Sequence, residues 1–299
     1  MSQLRAAISG AVALALGAFC AQANDLAEDL KYHGIWQAQM QKVHFVGPLG
    51  EQDFALRYRE FDNRGFRLTD LETTVIDGER RFAALWVRGR SPNMIIGPMS
   101  RTGFRMEMLR YGRGGLRVTD IEVLAEPDGP ALVMGVLQDG AKRQVLEVDL
   151  DLRALLAADR SRRRVGMSLV DLEVRESATG LRYTALWEAG ARSQTISPPV
   201  EADEFRVMRA EYAAGGFALT DMETIANRGR TQIIGVWSRD APAVVVTNDD
   251  GTRPFMERGW QQSQAGRSLV DLEMSQAPAW AKGVVFEDAA LSAATRVEF

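Results

Sequence analysis

The stretch Gly65-Phe66-Arg67-Leu68-Thr69-Asp70-Leu71-Glu72 decides the fold of this chain, because related stretches follow it four more times. They are Gly115–Glu122, Gly166–Glu173, Gly216–Glu223 and Gly266–Glu273. The aspartates of the five stretches lie 50, 51, 50 and 50 residues apart. A fixed period of this length indicates a protein built from stacked structural repeats.

Large apolar residues keep the same phase on either side of each aspartate. Sixteen residues before it stand Phe54, Phe104, Leu155, Phe205 and Phe255. Sixteen residues after it stand Trp86, Trp187 and Trp237, and Leu137 and Phe286 take this position with shifts of one residue. Trp36 lies fifty residues before Trp86, so a half-unit precedes the first full unit.

Each unit carries the signals of a helix followed by a hairpin. In the first unit Phe54, Tyr58 and Phe61 have helical spacing. Gly65 is placed to end this helix, because a C-terminal cap needs the positive φ that glycine adopts easily. Alternating residues then predict a strand, and Asp77-Gly78 predicts a tight turn. Similar turns are predicted at Asp128-Gly129, Thr179-Gly180 and Arg228-Gly229, whereas Ala277-Pro278 in the fifth unit predicts a different one.

The second strand of the hairpin is expected to be covered on both faces. In the first unit it contains Phe82–Val87, which is apolar throughout. A small residue two positions before the aromatic position leaves room for a neighbouring ring. These small residues are Gly34, Ala84, Gly135, Ala185 and Gly235. A short third strand follows, and Pro48, Pro98 or Pro199 marks the turn into the next helix.

These patterns predict an α/β repeat protein of the α+β class with five helix-strand-strand units. We expect one curved, mainly antiparallel sheet with helices on one face, shaped as an open arc or half-barrel rather than a closed ring. The predicted array spans 24–299, with a half-unit at about 30–50 and units at about 51–99, 100–150, 151–200, 201–250 and 251–299.

The first 23 residues predict a secretory signal peptide. Arg5 supplies the positive region, an apolar stretch follows, and Ala21-Gln22-Ala23 has the form of a cleavage site. A lipid anchor at Cys20 is the alternative, but Phe19 stands where such anchors need a small residue. We therefore expect an exported protein, periplasmic or secreted, with no membrane span in the mature chain.

Composition limits the chemistry of the chain. With two histidines, His33 and His44, and a single cysteine, the sequence argues against a multi-histidine or cysteine-rich metal site. The formal net charge of −4 gives no basic field for nucleic acid. No cofactor is predicted, and no serine lies beside either histidine in the sequence.

The repeat resembles a known family. Gly65–Glu72, followed by a hairpin and Arg81-Phe82-Ala83-Ala84-Leu85-Trp86, resembles the bacterial tandem repeat of polyglycine-hydrolase-like proteins. The resemblance covers nearly all of the predicted mature chain and implies a non-catalytic repeat domain, often found beside a β-lactamase-like serine peptidase domain. That peptidase uses a Ser-x-x-Lys motif. Three residues before the four lysines stand Glu28, Gln39, Asp139 and Ala279, so the motif is absent.

The most regular polar feature is a pair of acids in every unit. The pairs are Asp70/Glu72, Asp120/Glu122, Asp171/Glu173, Asp221/Glu223 and Asp271/Glu273. At a spacing of two on a strand, both carboxylates share one face, and Leu68 is expected on that face too. Ten neighbouring acids would repel one another. Either a cation such as Ca²⁺ or Mg²⁺ binds there, or each Asp accepts hydrogen bonds from a neighbouring helix start or backbone turn while each Glu pairs with an arginine. The structural alternative is favoured, because all five units share these residues.

Three smaller groups are also candidates for function. Arg160, Arg162, Arg163 and Arg164 are candidates for an anionic contact, or a solvated helix end. Trp36, Trp86, Trp187 and Trp237 are expected in the core rather than in a stacking platform, whereas Trp260 and Trp280 fall outside their phase. The histidines are expected to be packed side chains.

Three functional hypotheses follow. The first is an exported, non-enzymatic scaffold that binds an envelope, peptide or glycan partner. The second is a hydrolase or an accessory module of a secreted serine peptidase, which a covalent serine probe would distinguish. The third is a cation-binding structural protein, for which the acid pairs are the candidate ligands and the metal is unknown.

Overall fold

The computed structural model describes residues 30–39, 41–124, 130–227, 230–276 and 285–287. The predicted signal segment, Trp280, and the turns at Asp128-Gly129, Arg228-Gly229 and Ala277-Pro278 lie outside these residues. None of the helices within the described ranges combines the length and the apolar content that a membrane crossing requires.

One helix of 13 residues belongs to each unit. The helices are α1 (Glu51–Asn63), α2 (Arg101–Arg113), α3 (Leu152–Arg164), α4 (Ala202–Ala214) and α5 (Thr252–Gln264). The apolar spacing is confirmed, because Phe54 and Phe61 are the buried residues of α1. The predicted terminating glycines all have positive φ: Gly65, Gly115, Gly166, Gly216 and Gly266. The sequence therefore predicted where each helix ends.

The strands fall into three classes within the units. The inner strands follow the helices: β3 (Phe66–Ile76), β6 (Leu116–Leu124), β9 (Met167–Arg175), β13 (Ala218–Asn227) and β16 (Arg267–Ser275). The middle strands are β4 (Glu79–Arg88), β7 (Leu132–Asp139), β10 (Arg182–Ala189), β14 (Arg230–Ser238) and β1 (Lys31–Ala38). The outer strands precede the helices: β2 (Val43–Gly50), β5 (Asn93–Ser100), β8 (Gln144–Leu150), β11 (Gln194–Ile196), β12 (Val200–Glu201) and β15 (Val244–Asp250).

Each unit folds into its own small antiparallel sheet in the order outer, middle, inner strand. Middle strands are buried on both faces, as the sequence predicted, and Phe82–Val87 is buried throughout. The predicted single curved sheet is thus wrong. The α+β class, the antiparallel pairing and the packing of each helix on its own sheet are confirmed. A further short strand, β17 (Val285–Glu287), extends the fifth sheet.

The prolines of the outer strands do not turn the chain into the helix directly. Pro48 and Pro98 lie inside β2 and β5, where the pairing register shifts. In the fourth unit, Pro198 and Pro199 separate β11 from β12. Proline cannot donate to the ladder, so it interrupts the pairing of an edge strand without ending it.

The hairpin turns follow the sequence in the first unit but not in the third. Asp77 and Gly78 form the two-residue turn between β3 and β4, with φ of 51° and 80°. Both residues are left-handed, as a type I′ turn requires. The predicted two-residue turn at Thr179-Gly180 is wrong, because the chain between β9 and β10 spans 176–181. There the main chains of Ser177 and Gly180 bond to each other in both directions.

The fifth sheet takes its middle strand from the other end of the chain. β1 pairs with β15 on one side and with β16 on the other. Trp36 lies opposite Leu269, just as Trp86 lies opposite Leu68 in the first unit. The expectation that Phe286 fills the aromatic position of this unit is wrong, because Phe286 pairs with Val246 at the outer edge. The half-unit is therefore the missing strand of the fifth unit.

The five sheets form a closed ring, so the predicted open arc or half-barrel is wrong. Five core clusters each join residues of two consecutive units, and one of them joins the fifth unit to the first. In that cluster Ala83 and Leu85 of β4 pack with Trp36, Phe255 and Leu269. Closure gives every unit a neighbour on both sides, and no unit leaves its apolar face uncovered as an end of an open array would.

Candidate functional site

A β-bulge in every inner strand sets the direction of the acid pair. In the first unit the register skips Thr69, so that Leu68 lies opposite Trp86 and Asp70 lies opposite Leu85. The same shift occurs at the equivalent position in the other four units. The expectation that Leu68 shares a face with the acids is wrong, since one extra residue reverses the alternation. Leu68 packs with Trp86, while Asp70 lies on the other face.

The aspartates link each inner strand to the next around the ring. Asp120 Oδ2 accepts from the N–H of Leu71 at 3.2 Å, and Asp171 accepts from the N–H of Ile121. Asp221 bonds in the same way to the N–H of Leu172. Asp70 Oδ2 accepts from the N–H of Leu272 at 2.8 Å, which joins the first unit to the fifth. These four aspartates accept backbone hydrogen bonds as predicted, but the prediction that the donor lies at a helix start or in a turn is wrong, because it lies in a neighbouring inner strand.

The glutamates bond to neutral groups of the adjacent inner strands. Glu122 Oε2 accepts from Thr73 Oγ1 at 2.7 Å, and Glu273 Oε1 accepts from Thr224 Oγ1 at 3.0 Å. Glu72 Oε2 accepts from the N–H of Met274 at 3.1 Å. Among the described residues none of the ten acids forms an ion pair with arginine or lysine, so the predicted arginine partners are wrong. Arginine serves elsewhere, for example Arg117 with Glu188 at 2.7 Å.

Burial changes the protonation of the acids. It raises the pKa of all ten above their usual values, and neighbouring carboxylates raise the pKa of nine of them further. The pKa of Asp171 reaches about 6 and that of Glu273 about 8. A protonated carboxyl is neutral and can donate as well as accept a hydrogen bond. Protonation of carboxyls in this set reduces the repulsion that the sequence predicts.

One end of the ring opens into an acidic cavity. Its volume is about 430 Å³, and its lining includes one glutamate from each unit. These are Glu72, Glu122, Glu173, Glu223 and Glu273. Within the described part of the chain, no three histidine, cysteine, aspartate or glutamate side chains are arranged to hold one metal ion.

The arginine cluster of the third unit does not form one contact surface. Arg162 bonds to Glu147, and Arg163 bonds to Asp159 at 2.8 Å and to the carbonyl of Gln194 at 2.9 Å. Arg160 and Arg164 are exposed. Half of the cluster thus ties the helix to its own sheet and the next one, and the other half faces solvent at the helix end.

Within the described residues, the tryptophans in phase with the repeat are buried and the one out of phase is exposed. Trp36, Trp86, Trp187 and Trp237 are buried, and the last three are among the largest fully buried side chains. Trp260 on α5 is 67% exposed. The four core tryptophans therefore belong to the scaffold, and Trp260 is a surface aromatic.

The fifth unit has a glycine at the helix position from which the first unit packs a tyrosine on its tryptophan. In the first unit the ring of Tyr58 packs on Trp86, with ring centroids 5.4 Å apart. The same helix position carries Met108, Asp159 and Arg209 in the next three units. In the fifth unit it is Gly259, and a methyl group placed there would lie 3.3 Å from Trp36 Cη2. One turn later, Gln262 replaces the Phe61 that also packs on Trp86.

A cavity of about 560 Å³ occupies this position, and we term it the Gly259 cavity. Its lining residues are Trp36, Gln39, Gln41, Lys42, Val43, His44, Phe45, Phe255, Met256, Gly259, Trp260, Ser263, Gly266, Arg267, Ser268 and Leu269. They come from the fifth unit, the half-unit and the first outer strand. Reasoning from the repeat missed this site, although the exchange of Tyr58 for Gly259 was its visible signal.

Both histidines are packed side chains. His33 lies in β1 with 1% exposure, and burial lowers its pKa to about 3, so the ring is neutral. His44 packs edge-on against Phe66 at 4.8 Å between ring centroids. Burial and the nearby cations Lys42, Arg64 and Arg88 lower its pKa.

Comparison with family models matches residues 49–89 to the polyglycine hydrolase-like structural repeat. This segment contains α1, β3, β4 and the turn at Asp77-Gly78, which is one complete helix-hairpin unit. The match confirms the resemblance seen in the sequence for this repeat. A search of curated proteins found no match to the chain.

Proposed function

We propose that the chain is an exported, non-enzymatic scaffold that binds an envelope, peptide or glycan partner through the Gly259 cavity. The observation that carries the proposal is the break in the repeat at this position. Where the first unit packs Tyr58 on Trp86, the fifth unit has a glycine close to Trp36 with a cavity beside it. Binding pockets are concave and mostly apolar with a few polar groups, and the lining of this cavity has that composition.

The acid pairs support this choice by their role in the scaffold. Asp70 and Asp120 each accept a backbone N–H from an adjacent inner strand. A residue type repeated in every unit and engaged in such bonds serves assembly of the ring. A binding site is more readily found where one unit departs from the others.

Binding arrays test the proposal directly. The purified chain is applied to defined arrays of envelope glycans and synthetic peptides, beside the variant Gly259→Tyr. We expect array ligands that bind the wild-type chain and lose binding to the variant, because Gly259 lines the cavity and a tyrosine ring at this position obstructs it. Absence of array binding, or turnover of an ester or peptide that one point substitution abolishes, would overturn the proposal.

Export is tested separately. In a bacterial host that expresses the full chain, N-terminal sequencing of the protein in the periplasmic or secreted fraction should begin at Asn24. Cytoplasmic retention with an intact N-terminus would contradict this part of the proposal.

Cation binding is the second candidate, favoured by the five glutamates around the acidic cavity. A bound ion stabilises the folded state by mass action. Thermal melting with added Ca²⁺ or Mg²⁺ and with a chelator tests whether the folded chain binds a cation. A melting temperature that rises with one ion supports the candidate, and identical melts remove it.

A further inference from the structure

The walls of the Gly259 cavity favour an aromatic ligand. Phe255 is buried behind the cavity, where it stacks on Tyr32 at 5.1 Å and meets Phe45 edge-on at 5.1 Å between ring centroids. Trp36 donates its indole N–H to Thr247 Oγ1 at 2.9 Å, so its polar atom is engaged inside the sheet. The Cη2 edge of its ring lies on the side of Gly259. Aromatic rings gain from offset and edge-to-face packing beyond the area they bury.

The rim adds one large exposed aromatic side chain. Trp260 is 67% exposed on α5 and Met256 is 59% exposed beside it. Both residues line the cavity. At the matching helix position of the second unit, Leu109 is 62% exposed, so exposure alone does not distinguish Trp260. What distinguishes it is its position at the mouth of an aromatic-walled cavity.

The charge of the lining selects the second part of the ligand. Lys42 and Arg267 are among the lining residues, and the described lining contains no aspartate or glutamate. Arg267 Nη1 donates to Gln262 Oε1 at 3.0 Å, which holds the guanidinium near the mouth. Arg64 and Arg88 add positive charge close to His44. A positive rim attracts an anionic group and rejects a cationic one.

We propose that the Gly259 cavity binds a planar aromatic group that carries one anionic substituent, typically a carboxylate. The ring packs at the mouth of the cavity against Trp260 and Met256, beside the edge of Trp36, and the carboxylate lies at the rim toward Lys42 and Arg267. This inference rests on the proposed binding function and adds the chemical class of the ligand. The same chemistry has two sources, a free aromatic acid and the C-terminal aromatic residue of a peptide.

Calorimetric titration of the purified chain tests the ligand class with matched probes. The free-acid pair is 2-naphthoate and its neutral amide, and the peptide pair is N-acetyl-Gly-Gly-Phe and its C-terminal amide. We expect at least one acid to bind, with its amide weaker by about tenfold, the loss of one hydrogen bond to a charged group. Binding of naphthoate assigns the free acid, and binding of the peptide alone assigns the C-terminal source.

Variants locate the binding. Gly259→Tyr should abolish binding of the acid while the melting transition stays cooperative. Trp260→Ala should weaken it, whereas Leu109→Ala, the matched exposed helix residue of the second unit, should not. Lys42→Gln together with Arg267→Gln should bring the acid down to the affinity of the amide. Arg253→Gln, a charge change on α5 outside the lining, should have no effect.

Three results would overturn the inference: no binding of either acid, equal binding of acid and amide, or unchanged binding in Gly259→Tyr. The array experiment separates this failure from failure of the proposed function. Array ligands that still lose binding in Gly259→Tyr would keep the cavity as the binding site and reject only the anionic aromatic class.

Discussion

The first and fifth units have the same sheet but are built in different ways. In the first unit, β3 and β4 are joined by the two residues Asp77 and Gly78. In the fifth unit the middle strand is β1, and more than 200 residues separate Trp36 from its partner Leu269. The aromatic position is equivalent in both, yet a tyrosine ring packs on it in the first unit, whereas in the fifth unit Gly259 approaches Trp36 closely and a cavity borders the two. The repeat thus defines the scaffold, and the departures from it mark ring closure and the proposed binding site.

Of the changes that separate the first and fifth units, removal of β1 should have the largest effect on stability. A chain that starts at residue 39 lacks the strand between β15 and β16, and both lose their partner. We expect loss of the cooperative thermal transition of the fifth unit by circular dichroism and hydrogen exchange. A synthetic peptide of residues 30–38 should restore it. Unchanged melting of the truncated chain would show that the first and fifth units do not depend on this strand.

The junction between the fourth and fifth units, where Glu273 bonds to Thr224, should weaken as the pH rises. The pKa of Glu273, raised to about 8 by burial, lets the folded chain hold a proton that the unfolded chain releases near its usual value. Stability is therefore full below that usual value and falls as the pH rises through 8, by about 1.4 kcal/mol per pH unit for each extra proton. Urea unfolding at pH 5 and pH 8 measures this, and Glu273→Gln should reduce the difference. Greater stability at pH 8 would contradict it.

Removing the ring that packs on Trp86 in the first unit should lower the free energy of unfolding. Tyr58→Gly removes the ring that packs on Trp86 and places glycine inside α1. We expect a loss of about 3 kcal/mol in the free energy of unfolding, from a cavity and from helix propensity. Urea denaturation provides the measurement. A loss below that of an ordinary surface substitution would mean that the first unit tolerates the arrangement seen in the fifth.

Asp70, at the junction of the first and fifth units, should stabilise the fold through its acceptor oxygen rather than through a negative charge. Asp70→Ala leaves the N–H of Leu272 without its acceptor, and we expect a loss of about 2 kcal/mol. Asp70→Asn keeps an acceptor oxygen and should cost less. Asp120→Ala removes the equivalent bond between the first and second units and serves as the matched control. Equal losses in the alanine and asparagine variants would show that the carboxylate charge is needed.

Closing the fifth unit should have the smallest effect on stability. Gly259→Tyr replaces a glycine within α5 and gains roughly 0.5 kcal/mol of helix propensity. The added Cβ would lie 3.3 Å from Trp36 Cη2, and this crowding offsets the gain. We therefore expect little change in melting temperature by scanning calorimetry. A marked fall would show that Trp36 cannot move to accept the side chain.

Much of the unit could be predicted from local sequence. The helix follows from the spacing of Phe54 and Phe61, and its end follows from Gly65, which has a φ of 75°. The turn at Asp77-Gly78 has the predicted left-handed residues. These features depend on backbone sterics and on one apolar face, which a short stretch of chain specifies.

The β-bulge in each inner strand and the closure of the ring could not be predicted from local sequence. No residue type in the sequence predicts the position that the strand pairing skips, which is Thr69 in the first unit and Val170 in the third. One skipped residue moved Leu68 away from Asp70, and with it the environment of every acid. Ring closure depends on the curvature accumulated over five sheets and on a strand from the far end of the chain, which spacing along the sequence does not encode.

The sequence by itself determined the number of units, the helices, the hairpins of the first four units and the buried tryptophans, because these depend on residues close together in the chain. The tertiary structure alone decided that the ring closes, that the half-unit completes the fifth sheet, and that the hydrogen bonds of the acids run between inner strands. It also decided that a cavity lies beside Gly259. Each of these depends on contacts between units, where geometry rather than local preference selects the partner.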